Sequence, residues 1–408
     1  MYRSLYELII PSRPRLVYTA RGAEPFPGEG RFPQVRWEAC VNEKAAFEMA
    51  LAGAIASKRT ACLFSVAGVY EALDPLMSSA YTGVKGGFVV VCVKEGPLDA
   101  TPLGPFSKLP VLVADGTAAD LSRVLPFAFD LSERHEIPCL VETLPLRGTV
   151  DQAAEPPQPQ AAAVSRFERN PARWAAIPQF RYELHRALNE KVERIREELE
   201  AYGGNEEVVR GGSGLITHRA MTSPPAGGEV SLLSLGAVFP LPERKVSAFM
   251  DRMEEVRIAE GPYPAIELQV RQKERLSGGM AGGSIALHPS GGRDAEEVLF
   301  GSRVVRDELG PASSINMAHG MATSGIEGEI IAVTDEEAFL HSGLPAYVNT
   351  LYNGSAFLLV VRARERAKEI EAVLAGFGAR CLRVREAGEI ERYTGTGEPT
   401  VLLYEGDL

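Results

Sequence analysis

Two hydrophobic periods alternate along the chain. Short apolar runs with little alternation recur at 61–66, 88–93, 111–114 and 138–143. Runs of this kind, bounded by glycine and proline, predict strands buried on both faces of a parallel sheet. Helical patterns lie between them. Asn42 is a good cap for a helix built of small residues, Ala45, Ala46, Met49, Ala50 and 52–56, which can pack very close to a neighbour. A second helix is predicted over 70–80, with Pro75 as a break or a late start, and a third over 118–134, kinked at Pro126. Residues 16–18 read as a short first strand and 22–32 as loop. The stretch 40–92 therefore runs helix, strand, glycine turn, helix, glycine turn, strand, which is the grammar of an α/β domain.

Beyond residue 150 the pattern loosens and then resumes. Residues 153–163, AAEPPQPQAAA, have the composition of an exposed linker. A helix over 180–202 carries one stripe, Leu184, Leu188, Val192, Ile195 and Leu199, and stops at Gly203-Gly204; it is expected to bridge and lie on the protein. Strands are predicted at 214–216, 230–235 and 255–259, with a helix over 243–253. The glycine-rich run 278–283 lacks the lysine of a phosphate loop and reads as linker. A last βαβαβ pattern has strands at 329–333, 357–361, 380–384 and 400–404, with helices over 339–353 and 364–376. The fold class expected is α/β, in three domains with parallel sheets flanked by helices. Their bounds are 1–150, 206–275 and 276–408, with linker and bridging helix over 151–205.

Composition narrows the partners. The chain has 408 residues, 45% hydrophobic and 24% charged, with a formal net charge of −11. That balance and the lack of a long basic tract argue against nucleic acid and anionic membranes. No apolar run reaches the length of a membrane span, and the apolar core near the N-terminus, 5–10, is too short for a signal peptide, so a cytoplasmic address is expected. The five cysteines, Cys40, Cys62, Cys92, Cys139 and Cys381, have no close spacing. Reduced, mostly buried thiols are expected, and no iron–sulfur cluster or structural zinc made by this chain alone.

Ligands of parallel sheets bind beyond the carboxyl ends of the strands, and two acidic positions qualify. Glu43 follows the Asn42 cap and is expected near the turn 65–68, which contains Gly68. It reads either as a working carboxylate or as a first-turn glutamate answering the helix dipole. Asp335-Glu336-Glu337 follows the strand predicted at 329–333. It suits either a hard cation such as Mg²⁺ carrying a diphosphate or a solvated helix start. Of the six histidines none has metal spacing with another, but His341 lies four to six residues after the acidic cluster and can face the same crevice.

At these residues the chain resembles a known family, the alpha subunits of indolepyruvate:ferredoxin oxidoreductase within the thiamine-diphosphate-dependent 2-oxoacid:ferredoxin oxidoreductases. The resemblance is carried by Val41-Asn42-Glu43-Lys44, by Asp74-Pro75-Leu76-Met77 with Tyr81-Thr82-Gly83-Val84-Lys85-Gly86-Gly87, by Phe239-Pro240-Leu241-Pro242-Glu243, and by Phe339-Leu340-His341-Ser342-Gly343-Leu344-Pro345. These occur in the family's order and cover most of the chain. The resemblance implies a thiamine-diphosphate-binding fold plus a transketolase-C-like domain. The first domain would bind the pyrimidine, the second would be the transketolase-C-like one, and the third a shortened diphosphate-binding one. It implies thiamine diphosphate with Mg²⁺, a homodimer or a hetero-oligomer with a second oxidoreductase subunit, and ferredoxin as electron acceptor. Glu43 falls on the family's activating glutamate, which holds the pyrimidine in the tautomer that takes the thiazolium proton. Gly68, Asp335, Glu336, His341 and Arg364 become the expected cofactor-binding residues, with Glu336 the expected metal ligand.

The departures from the family pattern are local. Where the family has Gly-Asp after the metal-site strand, this chain has Asp335-Glu336, and a glutamate is one methylene too long for the aspartate's place. Where the family has Asp-Asn after the next strand, it has Ala363-Arg364, and arginine cannot ligate Mg²⁺. The polar loop after the 88–93 strand is shortened to 96–101. Two functions are therefore expected in competition: an oxidoreductase subunit acting on 2-oxo acids, or a non-catalytic structural or regulatory homologue.

Overall fold

The first sheet begins with β1 (Leu16–Ala20), β2 (Arg36–Cys40), β3 (Thr60–Ser65), β4 (Phe88–Val93), β5 (Val111–Ala114) and β6 (Cys139–Thr143). The computed structural model describes residues 2–20, 32–147, 169–175, 177–221, 230–261, 263–273, 276–281, 304–307, 311–324, 330–394 and 399–406. The linker over 153–163 and, but for Phe32, the loop predicted over 22–32 lie outside them.

A second sheet is built from β7 (Glu206–Val208), β8 (Ser213–His218), β9 (Val230–Leu235), β11 (Glu255–Glu260) and β12 (Leu276–Ala281), in the order β12-β11-β8-β9-β7. Between β9 and β11 the chain sends β10 (Ala237–Phe239) back to the first sheet, where it pairs antiparallel with β5. The first sheet then reads β10-β5-β6-β4-β3-β1-β2, parallel throughout except for that edge. A third sheet, all parallel, is formed by β13 (Val304–Val305), β14 (Ile331–Asp335), β15 (Leu358–Arg362), β16 (Arg380–Val384) and β17 (Thr400–Tyr404), ordered β13-β14-β15-β17-β16. The α/β class read from the apolar runs is borne out. Chain contacts divide the molecule into two units, Met1–Ala286, which holds the first two sheets, and Leu287–Leu408, which holds the third.

The central strands are apolar because helices cover both faces. Every residue of β4, β5 and β6 is buried. The helix Glu43–Ile55 brings Ala46, Phe47, Ala50 and Ala54 to this core, and the long helix Pro178–Leu199 brings Leu188, Val192, Ile195 and Leu199. Cys40, Cys62, Cys92 and Cys139 are buried free thiols and Cys381 is half-buried; burial pushes Cys62 and Cys92 well above the usual thiol range. Among the described residues no helix is long and apolar enough to cross a membrane.

Four expectations change. Residues 65–68 are not a turn: the Ser65 hydroxyl accepts from Gly68 N at 3.1 Å and starts the helix Val66–Glu71. The helix expected over 70–80 is two helices, Val66–Glu71 and Leu73–Thr82, and Pro75 falls in the first turn of the second, where its missing N–H has no partner to lose. The glycine-rich linker expected from 278 is, through residue 281, strand β12 beside β11, since ladder bonds need no side chain. The strand expected at 329–333 ends two residues later, so Asp335 is its last residue and Glu336 opens the next helical turn.

Candidate functional site

Glu43 owes its position to a cap. β2 ends at Cys40, and Asn42, in an extended conformation, accepts the Ala45 N–H at 2.9 Å, which makes Glu43 the first residue of the helix. Across the carboxyl end of the sheet, the helix Val66–Glu71 starts just after β3. The two starts meet side by side. A Cβ added at Gly68 would lie 2.5 Å from Glu43 Oε1, 2.9 Å from its Cγ and 3.0 Å from its Cδ. Glycine leaves room for the half-buried Glu43 side chain to lie in this position against the helix start; a Cβ would push it aside. Lys44, next in sequence, turns to Asp74, 2.7 Å away on the surface. The structure thus brings Glu43 and Gly68 together.

The same short helix leads to a buried polar group that the sequence reading did not single out. The Tyr70 hydroxyl donates to the Asp99 carbonyl at 2.8 Å. The Asp99 carboxylate, fully buried, is paired with Lys94, while Glu142 of β6 accepts from Ala100 N. Burial, then the nearby Asp99, pushes Glu142 up to about 7. His218, at the end of β8, is 1% exposed with neither ring nitrogen hydrogen-bonded, and burial followed by Lys94 pushes it down to about 3. One signal for this group was available: Glu142 sits inside the otherwise apolar run Cys-Leu-Val-Glu-Thr. Nothing in the spacing of Lys94, Asp99 and His218 pointed to a meeting.

In the second unit β14 and β15 pair in parallel, with Asp335 opposite Arg362, and this brings Asp335, Glu336 and Arg364 to one end of the sheet. Asp335 Oδ1 accepts from Ala338 N at 2.8 Å and caps the turn that Glu336 begins. The Glu336 carboxylate reaches across to the β15 loop, where Oε2 accepts from Arg364 N at 2.8 Å, Arg366 N at 3.0 Å and Glu365 N at 3.2 Å. His341 lies in the widened turn Phe339–Gly343, its Nδ1 against the Ser342 hydroxyl. Among the described residues no three His, Cys, Asp or Glu side chains are grouped so as to hold a metal ion. A cleft of about 420 Å³, lined by Asp120, Phe127, Glu198 and Tyr202 among others, contains none of the predicted site residues.

No family model matches the chain. Indolepyruvate oxidoreductase subunit IorA of Archaeoglobus fulgidus is 25% identical over 418 residues, covering 79% of this chain and 66% of the relative. That of Thermococcus kodakarensis is 24% identical over 435 residues, covering 80% and 67%, and that of Methanothermobacter thermautotrophicus 29% over 259 residues, covering 57% and 40%. The chain thus spans about two thirds of the length of the first two and less of the third. Among solved structures, 2-oxoglutarate:ferredoxin oxidoreductase from Magnetococcus marinus has a TM-score of 0.51 at 15% identity, covering 69% of this chain and 61% of its own, a likeness of fold. The resemblance read from the motifs is borne out: the chain is similar to the indolepyruvate oxidoreductase subunits over most of its length and has the fold of a 2-oxoacid:ferredoxin oxidoreductase.

Proposed function

We propose that the chain is a subunit of a thiamine-diphosphate-dependent oxidoreductase that decarboxylates 2-oxo acids of the aryl-pyruvate type and passes the electrons, through a second oxidoreductase subunit, to ferredoxin. The proposal includes a homodimeric or hetero-oligomeric assembly at a cytoplasmic address, with residues 1–150 as a pyrimidine-binding-like domain, 206–275 as the transketolase-C-like domain and 276–408 as a shortened relative of a diphosphate-binding domain. The observation that carries it is the seat of Glu43. Its side chain is half-buried at the carboxyl end of a parallel sheet, seated against Gly68, where an added Cβ would lie 2.5 Å from Glu43 Oε1.

The residues of the first unit fit the pyrimidine side of the cofactor. Glu43 Oε, in the first turn of its helix, is placed to accept a ring N–H. Gly68 keeps the opposing wall back and fixes the carboxylate's direction. When bound, thiamine diphosphate supplies the thiazolium carbon that carries the 2-oxo acid through decarboxylation. The residues at the ends of β14 and β15 do not fit an Mg²⁺-bound diphosphate: Asp335 caps a turn and Glu336 is bonded to three main-chain N–H groups.

The test is made on the full chain purified with its associated subunits. Aryl-pyruvate-dependent reduction of ferredoxin or a viologen dye is expected, dependent on added thiamine diphosphate. Glu43→Gln should lower it by about 10²–10⁴-fold without loss of assembly. A wild-type complex that reduces nothing contradicts the reading. It favours the second one, a structural or regulatory homologue, which is supported by the main-chain bonds that engage Glu336.

A further inference from the structure

The loop between β15 and the helix Ala367–Gly376 turns three successive main-chain N–H groups, those of Arg364, Glu365 and Arg366, toward one point. Converging N–H groups ahead of a helix are a ready-made seat for an anionic oxygen, and phosphate is a common occupant of such seats. Here the seat is taken. Glu336 Oε2 lies 2.8–3.2 Å from all three nitrogens, and Oε1 lies 3.3 Å from Glu365 N. The glutamate is delivered by the neighbouring strand, since β14 ends at Asp335 in register with Arg362 of β15. Its length matters. An aspartate at this position, one methylene shorter, could not span to the β15 loop without backbone movement.

A phosphate oxygen needs the hydrogens that Glu336 already holds. It would also meet the full negative charge of that carboxylate at contact distance, and like charges this close exclude one another. A cation to offset the repulsion has no ligand set among the described residues. Asp335 is committed to Ala338 N, and Arg364 brings a positive charge in place of a ligand.

We propose that Glu336 is a built-in anion that fills the β15 main-chain nest, ties the ends of β14 and β15 together, and closes this end of the second unit to an Mg²⁺-bound diphosphate. The proposal rests on the oxidoreductase reading only in naming diphosphate as the ligand shut out.

The test uses the full chain, with inorganic phosphate and pyrophosphate as probes. Wild-type protein titrated by calorimetry with pyrophosphate, with and without Mg²⁺, is expected to give no saturable binding up to millimolar concentration, and its unfolding midpoint should move little with phosphate. Glu336→Ala should lower the midpoint by about 3–6 °C, and tens of millimolar phosphate should restore at least half of that loss. Phosphate stabilises many proteins non-specifically, so the reading is the difference between variant and wild type. Glu336→Gln keeps an acceptor at reduced charge and should show the same contrast with a smaller drop, which covers an alanine variant that fails to fold. Saturable Mg²⁺-dependent pyrophosphate binding by the wild type overturns the proposal and leaves the role of Glu43 standing. So does a variant whose midpoint is unchanged, or one that gains nothing from phosphate beyond the wild type's gain. A subunit complex inactive toward 2-oxo acids sinks the oxidoreductase reading and leaves these outcomes as they are.

Discussion

Glu43 and Glu336 occupy the same local design. Each is the first helical residue after a parallel strand, and each follows a polar cap that accepts the N–H three residues on: Asn42 from Ala45 at 2.9 Å, Asp335 from Ala338 at 2.8 Å. What faces them differs. Glu43 lies against Gly68, a notch in a helix start, whereas Glu336 lies inside three main-chain N–H groups. In the proposed reading the first carboxylate receives an incoming group, whereas the second is consumed in holding two loops together. Strand, cap and spacing place an acid at the end of a sheet; the partner across the crevice decides whether it can work.

That contrast can be broken from either side. The largest effect is expected at Gly68. Alanine is the better helix former by about 1 kcal/mol, yet its Cβ would strike Glu43 Oε1 at 2.5 Å. The carboxylate must move, and a misplacement of this size costs on the order of 10²-fold in rate. Gly68→Ala should therefore lower the activity of the subunit complex by about that factor while leaving its cofactor affinity nearly unchanged, as a kcat and KM measurement would show. Unchanged kcat would mean that Glu43's position is not what Gly68 protects.

Next comes the nest. Removing the Glu336 carboxylate leaves three N–H groups to water, and hydrogen bonds to a charged group are worth about 1.5–3 kcal/mol each at most, less at a partly exposed site. Glu336→Ala should cost the second unit about 1–2 kcal/mol by denaturant unfolding, and Glu336→Asp a similar amount, because the shorter side chain cannot reach. An aspartate variant as stable as wild type would remove the argument from length.

The smallest net effect in the wild type concerns the buried group beside the first site, because its two contributions oppose in sign. Glu142 is raised from 4.5 to about 7, so its contribution to stability is present below pH 4.5 and lost as pH rises through 7. His218 is lowered from 6.5 to about 3, so its contribution is present above pH 6.5 and lost as pH falls through 3. Between about pH 4.5 and 6.5 the two slopes, each about 1.4 kcal/mol per pH unit, offset one another. Glu142→Gln should expose the histidine slope, with stability rising with pH across that window. His218→Phe should expose the glutamate slope, falling with pH. Denaturant melts at several pH values give both, and parallel profiles for the two variants would contradict the assignment.

Much of the frame was legible in the sequence because burial leaves a dense trace. Apolar runs located β3, β4, β5 and β6 to within a residue or two, and Asn42 marked the helix start that fixes Glu43. Edge elements left less. β2 has the burial pattern of a half-covered strand, with Arg36 exposed and only Cys40 buried, and three-residue β10 is a strand only because β5 is there to receive it. In the sequence Ser65 reads as part of a turn, since a glycine three residues on looks like a break, whereas the backbone of Gly68 supplies the capped N–H. The partner of Glu336 had no sequence signal at all. Its donors are main-chain N–H groups, which every residue but proline carries, so only the pairing of β14 with β15 reveals them.

The role of Glu43 is tested most directly by exchange of the thiazolium C2 proton of thiamine diphosphate bound to the subunit complex, followed by quenched-flow deuterium exchange at saturating cofactor. If Glu43 holds the pyrimidine proton, Glu43→Gln binds the cofactor and exchanges at least about 10²-fold more slowly than wild type. Equal rates in the two proteins at equal occupancy would contradict that role.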